Sequence, residues 1–502
     1  MAEVRIATPA DLSLKGRLGF LLKDSALYGG AAAISKAFAL ITFPLLARHF
    51  SVAEYGVLDY FMALVNLLCI AFIFGQDSAV ARFFYEYEET ADRRQLISQS
   101  LVFQLAGLAL LLPLLWLSAE WLTTLLIEAP DRVLLFKIVL LQLPFLLLIN
   151  FSQNLLKWTF ARAHFLIISL GFTLVQATLL VIAVLIFDVR IRGVLIVSLI
   201  TSALFGVLGL FFVRQWLTRP KDFRRLREML PFAIPYGVIC VANAFSPTLE
   251  RTLTNSLLGA EELGLYAAAT KIAMLIGLLV SAFQTAWGPF SLSLYKQADA
   301  GHTYNWALKL FALGMCVSAL VLTLLAQPLI HFLATDRYSG AVIVVFPLAM
   351  GLAIQATSWI TEIGIGIAKR SYLNLYAYAI AVVATLGSIL LLAPVLGLFG
   401  VGLGVLVGHV SKAFISSWLA QRAYPLPWRY APVVAVLALT LLLGLAAIWV
   451  GQHWGHRAHS FTLALALFVV VVLGWRILFS QADRNRLVAA LRGRFRQIRV
   501  LP

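Results

Sequence analysis

Charged residues are scarce in this sequence. Asp, Glu, Lys and Arg make up only 12% of its 502 residues, whereas 61% of the residues are hydrophobic. A soluble domain of ordinary composition carries about 25% charged residues. The scarcity of charge therefore argues against a water-soluble globular protein.

Cysteine is also rare, and its spacing excludes a thiol-based site. Cys69, Cys240 and Cys316 each lie in an apolar run, and no two of them form a CxxC pair. We therefore expect three small buried hydrophobic side chains rather than a disulfide framework or a metal centre.

Motifs for nucleotide or metal chemistry are absent from the sequence. No GxxxxGK[ST] motif occurs, so we expect a protein that is not an enzyme and hydrolyses no ATP. The histidines of "HWGHRAH" (His453 to His459) lack the carboxylate or thiolate partners of a zinc site. We predict no catalytic residue, no metal and no cofactor.

Long apolar runs are what the sequence does contain. Segments of roughly 18 to 25 mostly apolar residues recur between Ser25 and Phe479, and each is long enough to cross a hydrocarbon core of ~30 Å. None shows the alternating pattern of a membrane barrel, so the backbone must be satisfied inside helices. The pattern predicts an all-α polytopic membrane protein with about fourteen transmembrane helices.

The basic residues predict the orientation of these helices. If the N-terminus is cytoplasmic, the inner segments hold roughly 27 Lys and Arg and the outer loops about six, a strong positive-inside bias. Both termini are then cytoplasmic, and their basic amphipathic sequences are expected to bind anionic membrane lipids. This topology accounts for the net charge of +16 without a nucleic-acid partner.

A repeated phrase indicates that the chain has two related halves. "HFSVAEYGVLDY" (His49 to Tyr60) is echoed by "LLGAEELGLYAA" (Leu257 to Ala268), so that Glu54 and Gly56 align with Glu262 and Gly264. The same offset carries the predicted limits of the first six spans onto those of the next six. Because each half has an even number of spans, both have one orientation and form a parallel pseudo-twofold repeat.

The predicted domain organisation follows from this repeat. In chain order it comprises a cytoplasmic amphipathic N-terminus (1–24), an N-lobe of six spans (25–213), a basic cytoplasmic linker (214–230), a C-lobe of six spans (231–420), a hairpin of two spans (421–479) and a basic cytoplasmic tail (480–502).

The repeated phrase itself has the form of a helix start. Ser51 and Glu54 match the Ser-x-x-Glu capping box, and Gly259 with Glu262 is the corresponding pair in the second half. We predict that these residues cap helices and do not bind a ligand. Further along, Gly400, Gly404 and Gly408 recur every four residues, which predicts a face for close helix packing.

Several motifs resemble one known family. These are "ARHFSVAEYGVLDY" and "GQDSAVARFFYE" in the first lobe, and "PFAIPYGVICVANAFSPTLERTLTNSLLGAEELGLYAAATKIA" followed by "AFQTAWGPFSLSL" in the second. From roughly Ser25 to Ala420 the chain resembles the polysaccharide (O-antigen type) flippases of the multidrug/oligosaccharidyl-lipid/polysaccharide exporter superfamily. One departure is Glu250-Arg251, which stands where many relatives carry an Asp-Arg pair.

The resemblance implies a function and a location. It implies a bacterial cytoplasmic (inner) membrane flippase that moves undecaprenyl-pyrophosphate-linked oligosaccharide from the inner to the outer leaflet by alternating access. Such a protein serves polysaccharide or O-antigen biosynthesis. Its expected partners are the polyprenyl-pyrophosphate-linked glycan and, as further candidates, other membrane proteins of polysaccharide assembly.

Ionisable residues inside or at the ends of the spans are the candidate site residues. A charge at the bilayer centre costs about 2.5–3.5 kcal/mol, so it usually faces a cavity or a partner. We predict that basic residues attract the pyrophosphate group of the substrate. They are Lys36, Arg251, Lys271, Lys412, Arg82 and Arg48.

Acidic residues are predicted as charge partners or as sites of ion coupling. They are Asp59, Asp77, Glu250 and Glu362. Two pairings stay open at this point. Lys36 either faces a cavity or pairs with Asp59 or Asp77, and Arg82 either receives a headgroup or pairs with Asp77 or Glu86.

Two other functions compete with the flippase. An ion-coupled multidrug antiporter of the same superfamily would use mid-membrane carboxylates, and Asp59, Asp77 and Glu362 keep that alternative open. A membrane glycan polymerase or ligase would need a long extracytoplasmic loop with catalytic side chains, whereas all the predicted outer loops are short.

Overall fold

The computed structural model describes residues 42–84, 86–127, 131–294, 300–368 and 372–481, together with positions 30, 34, 38, 370 and 484. Over these residues the regular secondary structure is helical, and no strand occurs. The all-α prediction is confirmed. Lys36, most of the predicted first span, the predicted amphipathic N-terminus and most of the predicted basic tail lie outside the described residues.

Internal contacts divide the chain into two units. The first comprises Met1–Ala267 with Phe332–Tyr338, and the second comprises Ala268–His331 with Ser339–Pro502. The predicted lobes and linker are defined by repeat and orientation in a membrane, and they stay a prediction.

The described helices of the first unit are α1 (Val52–Ile73), α2 (Gln76–Phe84), α3 (Thr90–Leu117), α4 (Ala119–Leu126), α5 (Arg132–Trp158), α6 (Arg162–Leu166), α7 (Phe172–Phe187), α8 (Ile191–Val213) and α9 (Arg224–Leu258). A π-helical turn, Ile167–Gly171, connects α6 to α7. Helix α10 (Ala260–Leu294) begins in the first unit and continues into the second.

The described helices that follow are α11 (Ala300–Leu324), α12 (Ala326–Leu333), α13 (Val342–Thr361), α14 (Ile363–Ile367), α15 (Tyr372–Ala423) and α16 (Tyr430–Leu478). They belong to the second unit except for the last two residues of α12.

The helices have the length and composition that a membrane requires. Among the described residues, 10 helical segments are long and apolar enough to cross a bilayer. Two of them, α15 and α16, are 52 and 49 residues long, and each is broken at a glycine with left-handed φ, Gly397 (φ 59) and Gly455 (φ 80). A multi-pass membrane protein is thereby confirmed, whereas the exact number of fourteen spans stays a prediction.

The glycine repeat of α15 serves the packing that its spacing predicts. Within α15, a Cβ added to Gly404 would lie 2.6 Å from the side chain of Ile389, and Cβ atoms on Gly400 and Gly408 would collide with Leu392 and Thr385. The segment after Gly397 therefore packs tightly against the segment before it.

The predicted linker forms an ion pair and a hydrogen bond with other residues of the first unit. Within residues 214–230, Arg225 forms an ion pair of 2.9 Å with Asp92, and Glu228 accepts a hydrogen bond of 2.7 Å from the hydroxyl of Tyr87. Partial burial and the contact with Glu228 raise the pKa of the Tyr87 hydroxyl. The start of α9 is thus held against the residues around the start of α3.

The predicted capping box is present at the start of α1. Ser51 Oγ accepts a hydrogen bond of 3.2 Å from the amide of Glu54, and Glu54 Oε2 accepts one of 3.0 Å from the amide of Ser51. Helix α10 begins directly after Gly259, whose φ of +90° is accessible mainly to glycine.

The repeated glycines have a role that the sequence pattern did not reveal. Gly56 on α1 and Gly264 on α10 touch each other, and a Cβ added to Gly56 would lie 2.5 Å from the amide nitrogen of Gly264. The two helices cross here in backbone contact, as small residues permit in membrane proteins.

We expect Gly56→Ala to destabilise the protein by about 1–3 kcal/mol, because the added methyl group has no space against the backbone of α10. The effect should appear as a lower Tm of the purified protein in detergent. Gly107→Ala on α3 is the matched control, since a Cβ there meets nothing within 4 Å. Equal Tm values for the two variants would contradict the prediction.

Candidate functional site

A buried ion pair joins α1 to α9 in the first unit. Arg251 Nε donates a hydrogen bond of 2.7 Å to Asp59 Oδ2. Asp59 and Arg251 are only 2% and 6% exposed, so the pair is almost fully removed from solvent. The structure thus places Asp59 in contact with Arg251, and its pairing with Lys36, which lies outside the described residues, stays a prediction.

Arg251 has further contacts that hold its guanidinium in place. One Nη1 hydrogen donates to the carbonyl of Pro247 at 2.9 Å, one turn earlier on α9. The guanidinium also lies over the ring of Tyr266 at 5.9 Å from the ring centroid, within the range of a cation–π contact. These contacts orient the charge towards α1.

Glu250, the sequence neighbour of Arg251, faces different partners. Its Oε2 accepts a hydrogen bond of 2.7 Å from the hydroxyl of Tyr266, and its Oε1 accepts one of 2.9 Å from Ser246. Glu250 is 8% exposed. The Glu-Arg dipeptide is therefore split, with the acid bound to α10 and the base bound to α1.

The cluster of Asp59, Glu250 and Arg251 has one positive and two negative groups. Each carboxylate accepts hydrogen bonds from neighbouring donors, which is the arrangement that a buried charge requires. Chemically, the cluster is able to bind a cation, exchange a proton or release Arg251 to an anion.

A separate charge pair lies in the second unit. Lys412 on α15 is 1% exposed and forms an ion pair with Glu362, and its Nζ donates to Ser358 Oγ at 3.1 Å. Ser358 in turn donates to Glu362 Oε1 at 2.9 Å. The ring of Tyr378 lies 5.1 Å from the ammonium group. Lys412, like Arg251, is therefore neutralised by a carboxylate.

Arg82 lies on the surface of α2. Its Nε is 3.5 Å from Glu86, and its side chain is 57% exposed. The guanidinium also stacks over the ring of Phe232 at 4.7 Å. Of the two carboxylate partners left open by the sequence, the structure places Glu86 at ion-pair distance.

Arg48 and Lys271 are the other predicted cations among the described residues. Arg48 is exposed and donates to the carbonyl of Phe332 at 2.6 Å. Lys271 is partly buried on α10. The described residues thus bring Arg251 together with Asp59 and Glu250, and Lys412 together with Glu362.

One polar cluster of the first unit was missed by the sequence reasoning. On α5, Lys157 Nζ donates to Asn154 Oδ1 at 3.1 Å, and Asn154 Nδ2 donates to Asn150 Oδ1 at 2.9 Å. The spacing of four and three residues places all three side chains on one helix face. That spacing within an apolar span was the available signal. Asp77 attracts Lys157 electrostatically and lines the adjacent cavity.

We expect Arg251→Ala and Asp59→Ala each to destabilise the protein by about 3–5 kcal/mol, because each leaves an uncompensated charge in the interior. Thermal unfolding in detergent measures the loss as a lower Tm. The double variant Asp59→Ala/Arg251→Ala should lose less stability than the sum of the two single losses, since it removes both charges of the pair. Additive losses in the double variant would contradict a direct pairing.

Comparisons with known proteins agree with the fold and the motifs. Residues 21–295, more than half of the chain, match the family model described as polysaccharide biosynthesis protein. An uncharacterized membrane protein of Haemophilus influenzae is 23% identical over 345 residues, which cover 66% of this chain and 81% of the relative.

Solved structures share the architecture at low sequence identity. The lipid II flippase MurJ, in an inward closed conformation, has a TM-score of 0.68 at 14% identity over 90% of this chain and 100% of that chain. An inward-facing multidrug resistance MATE family transporter of the MOP superfamily has a TM-score of 0.65 at 13% identity over 77% and 94%. The chain therefore belongs to the polysaccharide biosynthesis protein family and has the fold of MOP-superfamily flippases and transporters, which confirms the resemblance drawn from its motifs.

Proposed function

We propose that this protein is a flippase that moves polyprenyl-pyrophosphate-linked oligosaccharide from the inner to the outer leaflet of the bacterial cytoplasmic membrane by alternating access. The observation that carries the proposal is a combination of two findings. The chain matches the family model of polysaccharide biosynthesis proteins, and over 90% of its length it shares the fold of the lipid II flippase MurJ.

The substrate of such a flippase presents a diphosphate and a glycan to the protein. The diphosphate needs cations in a region of low dielectric. A fixed guanidinium at ~4 Å from a phosphate charge contributes on the order of 4 kcal/mol at an effective dielectric near 20. The planar guanidinium also matches phosphate oxygens with paired N–H donors.

Arg251 is the described cation that we propose for this contact. Its hydrogen bonds to Asp59 and Pro247 use only two of the five N–H donors that an arginine has. Asp59 stabilises the guanidinium in the apolar interior in the absence of substrate. A diphosphate, with about two negative charges, then competes with the single charge of Asp59 for the same guanidinium.

We propose the same exchange for Lys412 in the second unit, where the diphosphate would replace Glu362 as the partner of the ammonium group. Arg82, exposed on α2, is proposed as a first contact for the headgroup at the cytoplasmic side. Lys36, Arg48 and Lys271 stay candidates for the rest of the path. The basic termini and linker are proposed to bind anionic lipids, and other polysaccharide-assembly membrane proteins remain proposed partners.

The antiporter alternative is favoured by one specific observation. Asp59 and Glu250 place two buried carboxylates beside Arg251, and carboxylates suit a proton, a metal cation or a cationic drug. Transport of a fluorescent cationic dye distinguishes the two functions. Efflux of the dye by proteoliposomes, driven by an imposed ion gradient and abolished in Glu250→Gln, would favour the antiporter over the flippase.

We expect Asp59→Asn to bind undecaprenyl pyrophosphate about five- to tenfold more tightly than the wild type. The amide oxygen of Asn still accepts a hydrogen bond from Arg251, but without a negative charge it competes more weakly with the diphosphate for the guanidinium. Arg251→Gln should bind undecaprenyl pyrophosphate at least about tenfold more weakly. Titration of nanodisc-embedded protein with a fluorescent analogue measures both changes.

Asp188→Asn is the matched control for this titration, since that carboxylate belongs to the same unit and its side chain is 93% exposed. Its affinity should equal that of the wild type. Weaker binding by Asp59→Asn, or unchanged binding by Arg251→Gln, would refute the exchange of Asp59 for the diphosphate.

We expect the membrane potential to accelerate flipping. Each negative charge that moves outward across a membrane with a negative interior releases ~2.3 kcal/mol per 100 mV. Proteoliposomes with a valinomycin-imposed potassium potential should therefore translocate a fluorescent undecaprenyl-pyrophosphate disaccharide faster when the interior is negative. Equal rates at zero and negative potential would show that the translocated species carries no net charge.

A further inference from the structure

We propose that a cavity in the first unit is a hydroxyl-binding site for one sugar hydroxyl of the glycan. This inference rests on the proposed function. The cavity lies where α2, α3 and α5 meet, and it is lined by Gln76, Asp77 and Asn150 among other residues.

The backbone before the cavity is shaped to place Gln76 there. Helix α1 ends at Ile73, and the chain turns through left-handed φ values at Phe74 (44°) and Gly75 (72°) before α2 begins. A Cβ at Gly75 would lie 2.5 Å from the amide nitrogen of Gly237 on α9, so this turn is fitted closely to its neighbour. Gln76 follows directly and is fully buried.

A directed chain of hydrogen bonds sets the orientation of the Gln76 amide. Gln104 Nε2 donates to Ser100 Oγ at 3.3 Å, so the Ser100 hydroxyl is left to donate its own hydrogen to Gln76 Oε1 at 3.1 Å. Gln76 therefore uses its oxygen in this chain. Its buried Nε2 has no acceptor among the described residues.

A second chain of the same direction runs along α5. Lys157 has only donors, so it determines that Asn154 and then Asn150 each accept through their side-chain oxygens. The chain ends on the Nδ2 group of Asn150. Both chains thus terminate in an amide NH₂ group, one from Gln76 and one from Asn150, at the same cavity.

The acceptor at this cavity is a carboxylate. Asp77 Oδ1 accepts a hydrogen bond of 2.7 Å from the amide of Ser78, which leaves Oδ2 for a further donor. Two NH₂ donors and one carboxylate acceptor match a hydroxyl group, which accepts two hydrogen bonds and donates one. The site chemistry therefore selects a hydroxyl.

Charge and volume exclude the other ligand classes. A phosphate would be repelled by Asp77, and a metal ion would meet two amide NH₂ groups and the nearby ammonium of Lys157. The cavity of about 10 Å³ admits one oxygen-sized group and no whole sugar ring. Trp158 lines the same cavity and, like Asn150 and Asp77, is only partly buried.

The test compares two probes on full-length protein in nanodiscs: undecaprenyl pyrophosphate that carries a hexose disaccharide, and sugar-free undecaprenyl pyrophosphate. We expect the wild type to bind the disaccharide probe more tightly. The preference for sugar is measured as the Kd of the sugar-free probe divided by the Kd of the disaccharide probe. In Gln76→Leu and in Asn150→Leu this ratio should fall about five- to tenfold, because each variant removes one donor to the hydroxyl. Binding of the sugar-free probe should not change.

Gln142→Leu is the matched control, because Gln142 is a buried amide on the same helix as Asn150 that donates to the carbonyl of Leu195 at 3.2 Å. Its Kd ratio should equal that of the wild type. Asn150 is only partly buried, so Asn150→Leu carries the test if Gln76→Leu does not fold.

Four outcomes are distinguishable. A reduced ratio in the cavity variants alone supports the hydroxyl site. An unchanged ratio in a folded cavity variant means that the cavity holds only water, and it overturns the inference while the proposed function stands. A wild type that binds both probes equally also overturns the inference, whereas a wild type that binds neither probe contradicts the proposed function together with the site.

Discussion

An ion pair in a medium without water is the interaction on which the first unit depends. Arg251 and Asp59 are both nearly fully buried, and neither charge would be tolerated there alone. Their contact of 2.7 Å joins α1 to α9. Because Glu250 is held by Tyr266, the same short stretch of α9 is also bound to α10. Three helices thus meet at one dipeptide.

The same constraint explains why the buried cations are paired in this structure. A lysine or arginine that waits in the membrane interior for an anionic substrate must be stabilised meanwhile by another anion. Asp59 does this for Arg251, and Glu362 does it for Lys412. Under the proposed function, the carboxylates belong to the transport machinery as temporary partners of cations.

The residues from Asp59 to Gln76 contribute to two polar clusters of different chemistry. Asp59 lies on α1 within a charged cluster, and Gln76 follows the left-handed turn that ends α1. Under the proposed function, Arg251 of the first cluster binds the diphosphate. The second, whose amides are oriented by Lys157 and Ser100, is suited to a neutral hydroxyl. A lipid-linked glycan carries both kinds of group.

Much of the architecture was predictable from the sequence, because the bilayer imposes strong rules on composition. Apolar runs that cross a bilayer must be helices, and the described residues contain 10 helical segments of sufficient length and apolarity. The capping box at Ser51 and Glu54 and the packing role of Gly400, Gly404 and Gly408 were also predictable, since both depend on residues close together in the chain. The motifs further identified the family.

The partners of the charged groups were decided only by the tertiary structure. Sequence alone identified Asp59, Glu250, Arg251, Glu362 and Lys412 as important positions, because each is ionisable within an apolar run. It left open that Arg251 binds Asp59, 192 residues away, since helix rotation and crossing select the partner. The proposed hydroxyl site depends even more on the fold, because Asn150 on α5 must meet Gln76 and Asp77 on α2, and the Gln76 amide is oriented by Ser100 on α3.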